Sequence, residues 1–158
     1  MDHVDKVLAQ WRKERPDLDV GPMGLIGRVK RLNLLLAREM EKTWAEHDLN
    51  AASFDVLATL RRSGSPYALS PGDLMTSTMV TSGTMTNRID QLEKAGLVER
   101  QQSEIDRRSF LIALSDTGFA VIDGAVTAHV ATLHNLVSGL SKAEQDAMDS
   151  MLRAFLNE

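Results

Sequence analysis

The stretch from Leu69 to Leu114 constrains this chain more than any other. Ser70-Pro71-Gly72-Asp73 is a helix start: a capping hydroxyl, a proline at the first helical position and an acid three residues after the cap. Thr76-Ser77-Thr78 is a poor helix interior and a good turn, so the predicted helix is short. Thr81 or Ser82 caps a second helix, in which Met85, Ile89 and Leu92 recur at i, i+4 and i+7 and form one apolar face. Gly96 ends it. Leu97-Val98 opens an extended run, Gln101 to Asp106 make a polar tip, and Phe110, Ile112 and Leu114 alternate as a half-buried strand.

Helix, turn, helix and two-stranded ribbon is the order of a winged helix-turn-helix, whose second helix fits the DNA major groove. With Met85, Ile89 and Leu92 inside, Asn87, Asp90 and Lys94 point outward and Thr86 lies on a flank. The first turn then presents Thr81, Ser82, Thr84, Thr86 and Asn87 at the positive end of a helix. Such short hydrogen-bonding groups suit phosphates and base edges. Ser70, capping the helix before, joins this candidate set. At the ribbon tip, Asp106-Arg107-Arg108 offers arginines for the minor groove and a carboxylate to orient one of them. The plainer alternatives are a capped surface helix and an exposed turn with an incidental ion pair.

The segment Phe54 to Gly118 resembles the MarR family of bacterial transcription regulators. The Asp-x-Arg wing signature is matched by Asp106 and Arg108, and a Leu-Ser-x-x-Gly-like helix entry by Leu114-Ser115-Asp116-Thr117-Gly118. The resemblance implies a homodimer on a roughly palindromic operator in double-stranded DNA, with Arg108 in the minor groove and Asp106 as its orienting partner. The expected fold is mainly α with a small β wing, dimerised through N- and C-terminal helices. Its parts are an extension helix (1–20), a long helix of the dimer and ligand region (21–50), the winged module (51–114) and C-terminal dimerisation helices (115–158).

Composition agrees with one helical domain. The 158 residues are 43% hydrophobic but only 4% aromatic, with eight methionines, which favours an adaptable helical interior. Cysteine is absent, which rules out a thiol sensor and sets aside the family's cysteine-based peroxide sensors. No apolar run spans a bilayer and no signal peptide is visible, so a cytoplasmic protein without a membrane partner is expected. The net charge of −4 argues against a broad basic coat, so DNA binding has to rest on placed contacts and dimer geometry. The four histidines form no i, i+4 pair, and no serine has a base nearby in sequence. Neither a metal site, a cofactor nor an enzyme is expected.

Outside the module, Val4, Val7, Leu8 and Trp11 make one face of a short helix that Arg15-Pro16-Asp17 stops; Trp11 reads first as a packing anchor. A long helix, about Met23 to Glu46, carries apolar residues on more than one stripe and calls for burial on two sides. A helix over Ala51 to Arg62 uses Phe54, Leu57 and Leu60 as its core face, and Tyr67 to Leu69 can complete the wing sheet. A second long helix spans about Asp116 to Leu136, with His129 expected at an interface edge. The box Ser141-Lys142-Ala143-Glu144 opens a last helix whose buried stripe is Met148, Met151, Leu152 and Phe155. Spare apolar faces on terminal helices suit a symmetric dimer.

Arg88, one position before Ile89, lies beside the buried face, where a guanidinium needs an anionic partner. That partner is either a fixed one, Asp55 or another acid, or a bound anion. Gln10-Trp11-Arg12, the run Glu14 to Asp19 and Phe54-Asp55-Val56-Leu57 resemble the urate-responsive branch of the family, which carries an extra N-terminal helix. The resemblance implies Trp11, Asp55, Arg88 and Arg100 as effector residues, for urate, xanthine or another small anion. Two other classes stay open: a constitutive or architectural DNA-binding protein, and a protein-interaction module.

Overall fold

A computed structural model describes residues 1–78, 82–102 and 109–156, with the side chains of residues 82–84 excepted. The elements run α1 (His3–Glu14), α2 (Gly21–Ala45), α3 (Ala51–Arg62), β1 (Ala68–Leu69), α4 (Pro71–Ser77), α5 (Ser82–Lys94), β2 (Val98–Gln102), β3 (Phe110–Leu114), α6 (Asp116–Val137) and α7 (Lys142–Leu156). The chain divides into two compact units, residues 1–39 and 40–158.

In the first unit, Asp2 caps α1 and exchanges bonds with Asp5, each carboxylate accepting from the other's backbone N–H at 2.8 and 2.9 Å. Arg28 of α2 donates to both carboxylates, at 2.9 and 2.5 Å. Val4 and Leu8 are buried with Val20. Trp11 is not the expected anchor: 43% of it is exposed. Helix α2 starts at Gly21, two residues before the expected start, because the Asp19 carboxylate accepts the Gly21 N–H at 2.9 Å.

The second unit has one core. Val56, Leu57 and Leu60 of α3 pack with Leu74, Met85, Ile89, Leu92, Ile112 and Ile122. Ser70 with Pro71 caps α4 as the sequence leads one to expect, Ser115 caps α6 within the expected helix entry, and Asn50 caps α3. The sheet is antiparallel in the order β1-β3-β2, with Arg100 opposite Ile112 and Gln102 opposite Phe110. Strand β2 runs through Gln101 and Gln102, so the ribbon extends further than the expected polar tip allows. The alternation in β3 also differs: Ile112 and Ala113 are both buried while Phe110 is exposed. As the middle strand, β3 has neighbours on both edges and lies across the core at these two residues.

Two joints explain local sequence. Gly96, at φ +72°, turns α5 into β2, a conformation that favours glycine. Ser115 then ties α6 to that turn: its hydroxyl donates to the Gly96 carbonyl at 2.6 Å and accepts the Gly118 N–H at 2.9 Å. Gly118 is forced by proximity, since a Cβ there would stand 1.8 Å from the Leu97 carbonyl oxygen.

Helix α7 departs from expectation. Its capping box is present, with Glu144 accepting the Ser141 N–H at 2.8 Å. Its apolar stripe, however, is not buried in the single chain: Met151 is 69% and Phe155 63% exposed, and Leu152 is exposed as well. The same holds for Val130, Leu133 and Val137 of α6 and for much of α2. Among the described residues, no helix is long and apolar enough to cross a membrane.

Candidate nucleic-acid interface and anion site

Helix α5 is the element most exposed to test. Met85, Ile89 and Leu92 are at most 3% exposed, so one side of the helix is fixed to the core. Thr86, Asn87 and Asp90 are exposed on the other side, as the i, i+4 reading requires. Ser82 is the first helical residue, so it lies inside α5 and is not its cap. Thr81 lies outside the described residues, as do Asp106, Arg107, Arg108 and the side chains of Ser82 and Thr84. Ser70 is occupied: its hydroxyl donates to the Asp73 carboxylate at 2.7 Å and accepts the Asp73 N–H at 3.1 Å. It works first as a cap.

The expected effector residues fall in both units. Trp11, exposed, belongs to the first. Asp55, Arg88 and Arg100 belong to the second. Asp55 and Arg88 are both half-buried, and the Nη1 of Arg88 is buried without a hydrogen-bond partner. The fixed ion pair between Arg88 and Asp55 or another acid is not found among the described residues. A buried guanidinium nitrogen with no acceptor carries a desolvation cost that a bound anion would remove. Arg100 is in the opposite condition. It forms ion pairs with Asp90 and Glu93 of α5, and these bonds, Asp90 first, raise its pKa above the ordinary arginine value.

Sequence reasoning missed two clusters. Trp44, Phe54 and His129 form an aromatic group, with Phe54 4.9 Å from both other rings. His129 is thus packed on Trp44 and Phe54, not merely poised at an edge; desolvation lowers its pKa, and its Nδ1 is buried and unpartnered. Arg61 donates to Asp123 from Nε at 3.0 Å and lies over the Phe119 ring at 4.6 Å. Both clusters border an open cleft of about 440 Å³ between α3 and α6, lined by Phe54, Ala58, Arg61, Arg62, Asp123, Val126 and His129. None of Asp55, Arg88 and Arg100 lines it. The signal was present for Phe54 and Ala58, four apart on one face, but their partners come from α6, some seventy residues on.

A short helix, a turn, a second helix with one side buried and a three-stranded sheet define a winged helix-turn-helix. Residues 49–110 match the MarR family. The chain is 44% identical over 149 residues to the HTH-type transcriptional regulator PecS of Dickeya dadantii (strain 3937), covering 94% of this chain and 90% of that one. The structure is similar to that of Bordetella bronchiseptica BpsR, whose DNA binding is regulated by 6-hydroxynicotinic acid, with TM-score 0.71, 26% identity and coverage of 89% and 94% of the two chains. It also shares its fold with an E. coli MarR mutant complexed with operator DNA, with TM-score 0.72, 22% identity and coverage of 92% and 97%. The chain belongs to the MarR family and is a DNA-binding transcription regulator.

Proposed function

We propose that the protein is a cytoplasmic, homodimeric repressor that leaves a pseudo-palindromic operator when urate, xanthine or a related small anion binds. The observation that carries the effector half is the Arg88 guanidinium, half-buried beside the core face of α5 with one nitrogen that has no acceptor among the described residues. A planar purine anion pairs with Arg88 through charge-assisted hydrogen bonds and repels the Asp55 carboxylate, and Trp11, an exposed ring, remains the aromatic effector candidate. Regulation of BpsR by a planar heteroaromatic acid supports an effector of this class. The similarity to PecS, a transcription regulator, covers the N-terminal segment that holds Trp11.

The DNA half uses Thr86 and Asn87 on the exposed side of α5, with Thr81, Ser82 and Thr84 in its first turn and Asp106, Arg107 and Arg108 on the wing. The exposed apolar faces of α2, α6 and α7 support a second copy as the partner, since a two-fold reader requires one. An effector shifts DNA affinity only through its different affinity for the two arrangements, and a coupling of about 1–3 kcal/mol weakens binding roughly 5–150-fold.

The test is a urate titration of the protein on its own upstream DNA, followed by mobility shift. Urate releases the wild-type protein; Trp11→Ala and Arg88→Ala stay folded and bound but respond weakly, and Arg108→Ala binds poorly from the start. An unchanged urate response in both pocket variants removes the pocket assignment, and a wild-type protein indifferent to purines leaves a constitutive DNA-binding protein.

A further inference from the structure

Asp90 and Glu93 stand one turn apart in the C-terminal half of α5. Two carboxylates at i, i+3 repel each other, and that end of a helix carries partial negative charge. Their position is unfavourable unless they share a cation, and Arg100 of β2 is that cation: its Nη2 meets the Asp90 carboxylate and its Nη1 the Glu93 carboxylate. The guanidinium carbon also sits 5.7 Å from the centre of the Phe110 ring on β3, within cation–π range. In the ladder Arg100 lies opposite Ile112, which makes Phe110 its diagonal neighbour. One side chain therefore touches α5, β2 and β3 together.

Beyond Val98, Arg100 ties β2 to α5 by two ion pairs. Val98 is buried, whereas Glu99, Arg100, Gln101 and Gln102 are all exposed residues. Beyond Val98 no apolar side chain of the strand reaches the core. The strand leads directly into residues 103–108, which include the wing signature.

We propose that Asp90 and Glu93 are positioning residues for the wing: through Arg100 they fix the outer part of β2 against the reading helix, and operator recognition depends on that hold. The proposal does not rest on the effector reading.

The sign of one measurement separates this role from a bystander one. Exposed carboxylates on a DNA-facing helix repel phosphates, so as bystanders their neutralisation strengthens DNA binding. As positioning groups their neutralisation weakens it. The probes are a duplex selected by the wild-type protein from a randomised pool, and a scrambled duplex of the same composition. The full-length Asp90→Asn/Glu93→Gln variant is expected to bind the selected duplex about three- to tenfold more weakly, the range two exposed ion pairs allow. Its affinity for the scrambled duplex stays level or rises. Amide exchange of residues 99–102 quickens without DNA, while exchange in α3 is unchanged and reports an intact core. The swapped pair Glu93→Arg/Arg100→Glu binds the selected duplex more tightly than the two single changes predict when added. Equal or tighter operator binding by the neutralised variant, unaltered exchange over 99–102, or strict additivity in the swap overturns the proposal.

Discussion

The two units of this chain are held together by different means. The unit of residues 40–158 has a continuous core from α3, α4, α5, β2, β3 and α6, with Val56, Leu57, Leu60 and Ile112 wholly excluded from solvent. The unit of residues 1–39 buries Val4, Leu8 and Val20 and little else. There α1 lies over glycines: a Cβ at Gly24 would stand 3.0 Å from a Leu8 methyl, and one at Gly27 3.5 Å from a Val4 methyl. Its other apolar residues are turned outward, Leu25 at 58% and Leu34 at 61% exposed. Twelve residues of helix are marginal in water on their own. The reading unit supplies its own hydrophobic stabilisation, whereas the N-terminal unit relies on caps, ion pairs and a cluster of three buried residues.

Matched truncations give the sharpest test. Leu57→Ala removes a fully buried side chain amid packed neighbours and is expected to cost about 2–5 kcal/mol in global unfolding by urea. Leu8→Ala is expected to cost under about 2 kcal/mol, as faster amide exchange confined to α1, because its cluster is small and can open locally. Equal, global losses would erase the distinction between the units. Next in size is Gly118→Ala. The new methyl collides with a backbone carbonyl that cannot rotate away, so a loss of about 1–3 kcal/mol is expected in thermal unfolding. A neutral effect would mean that the joint between α6 and the Leu97 turn gives way easily.

That joint also shows what the sequence could disclose. Leu-Ser-x-x-Gly is a local motif, and its serine cap and close glycine both follow from contacts within some twenty residues. The apolar face of α5, the cap at Ser70 and the helix entry at Ser115 are legible for the same reason: period and capping are short-range. The caps Asp2 of α1 and Asn50 of α3 are equally short-range and were not read from the sequence. Long-range pairing was not legible. Arg100 meets Asp90 and Glu93 only because Gly96 folds the strand back on its helix. Arg61 meets Asp123 across sixty-two residues. The stripe of α7 was legible as apolar, but a pattern cannot say whether its own chain or another covers it.

A smaller effect separates the aromatic cluster of the second unit from the rest of its core. Burial beside Trp44 and Phe54 disfavours charged His129, so its pKa lies below the ordinary histidine value of 6.5. The unfolded chain then binds a proton more readily than the folded one. Stability is complete above the unfolded value and falls as pH drops through it towards the folded one. His129→Phe is expected to flatten the thermal midpoint against pH on the acid side of 6.5. A slope identical to wild type would assign the acid sensitivity to other groups.

The smallest expected effect belongs to Arg28, and it probes how the N-terminal unit holds its first helix. Arg28 donates to Asp2 and Asp5, which already cap one another. Each aspartate pKa is lowered first by the backbone N–H of the other and further by Arg28. All three side chains are well exposed, so water and salt screen the pairing. Arg28→Ala should leave the capping box and the α1 helix in place but loosen its attachment to α2. Exchange across α1 should rise modestly, with global unfolding unmoved. Because the aspartate values are depressed, their contribution is present above the unfolded value of 3.8 and is lost as pH falls through the folded one. Acid should therefore reproduce the variant's loosening in the wild-type protein and add little to it in the variant, beyond what the capping box itself loses. If α1 exchange in the variant matches wild type at neutral pH and low salt, the ion pairs are ornamental, and Val4 and Leu8 lying over Gly24 and Gly27 hold the helix by themselves.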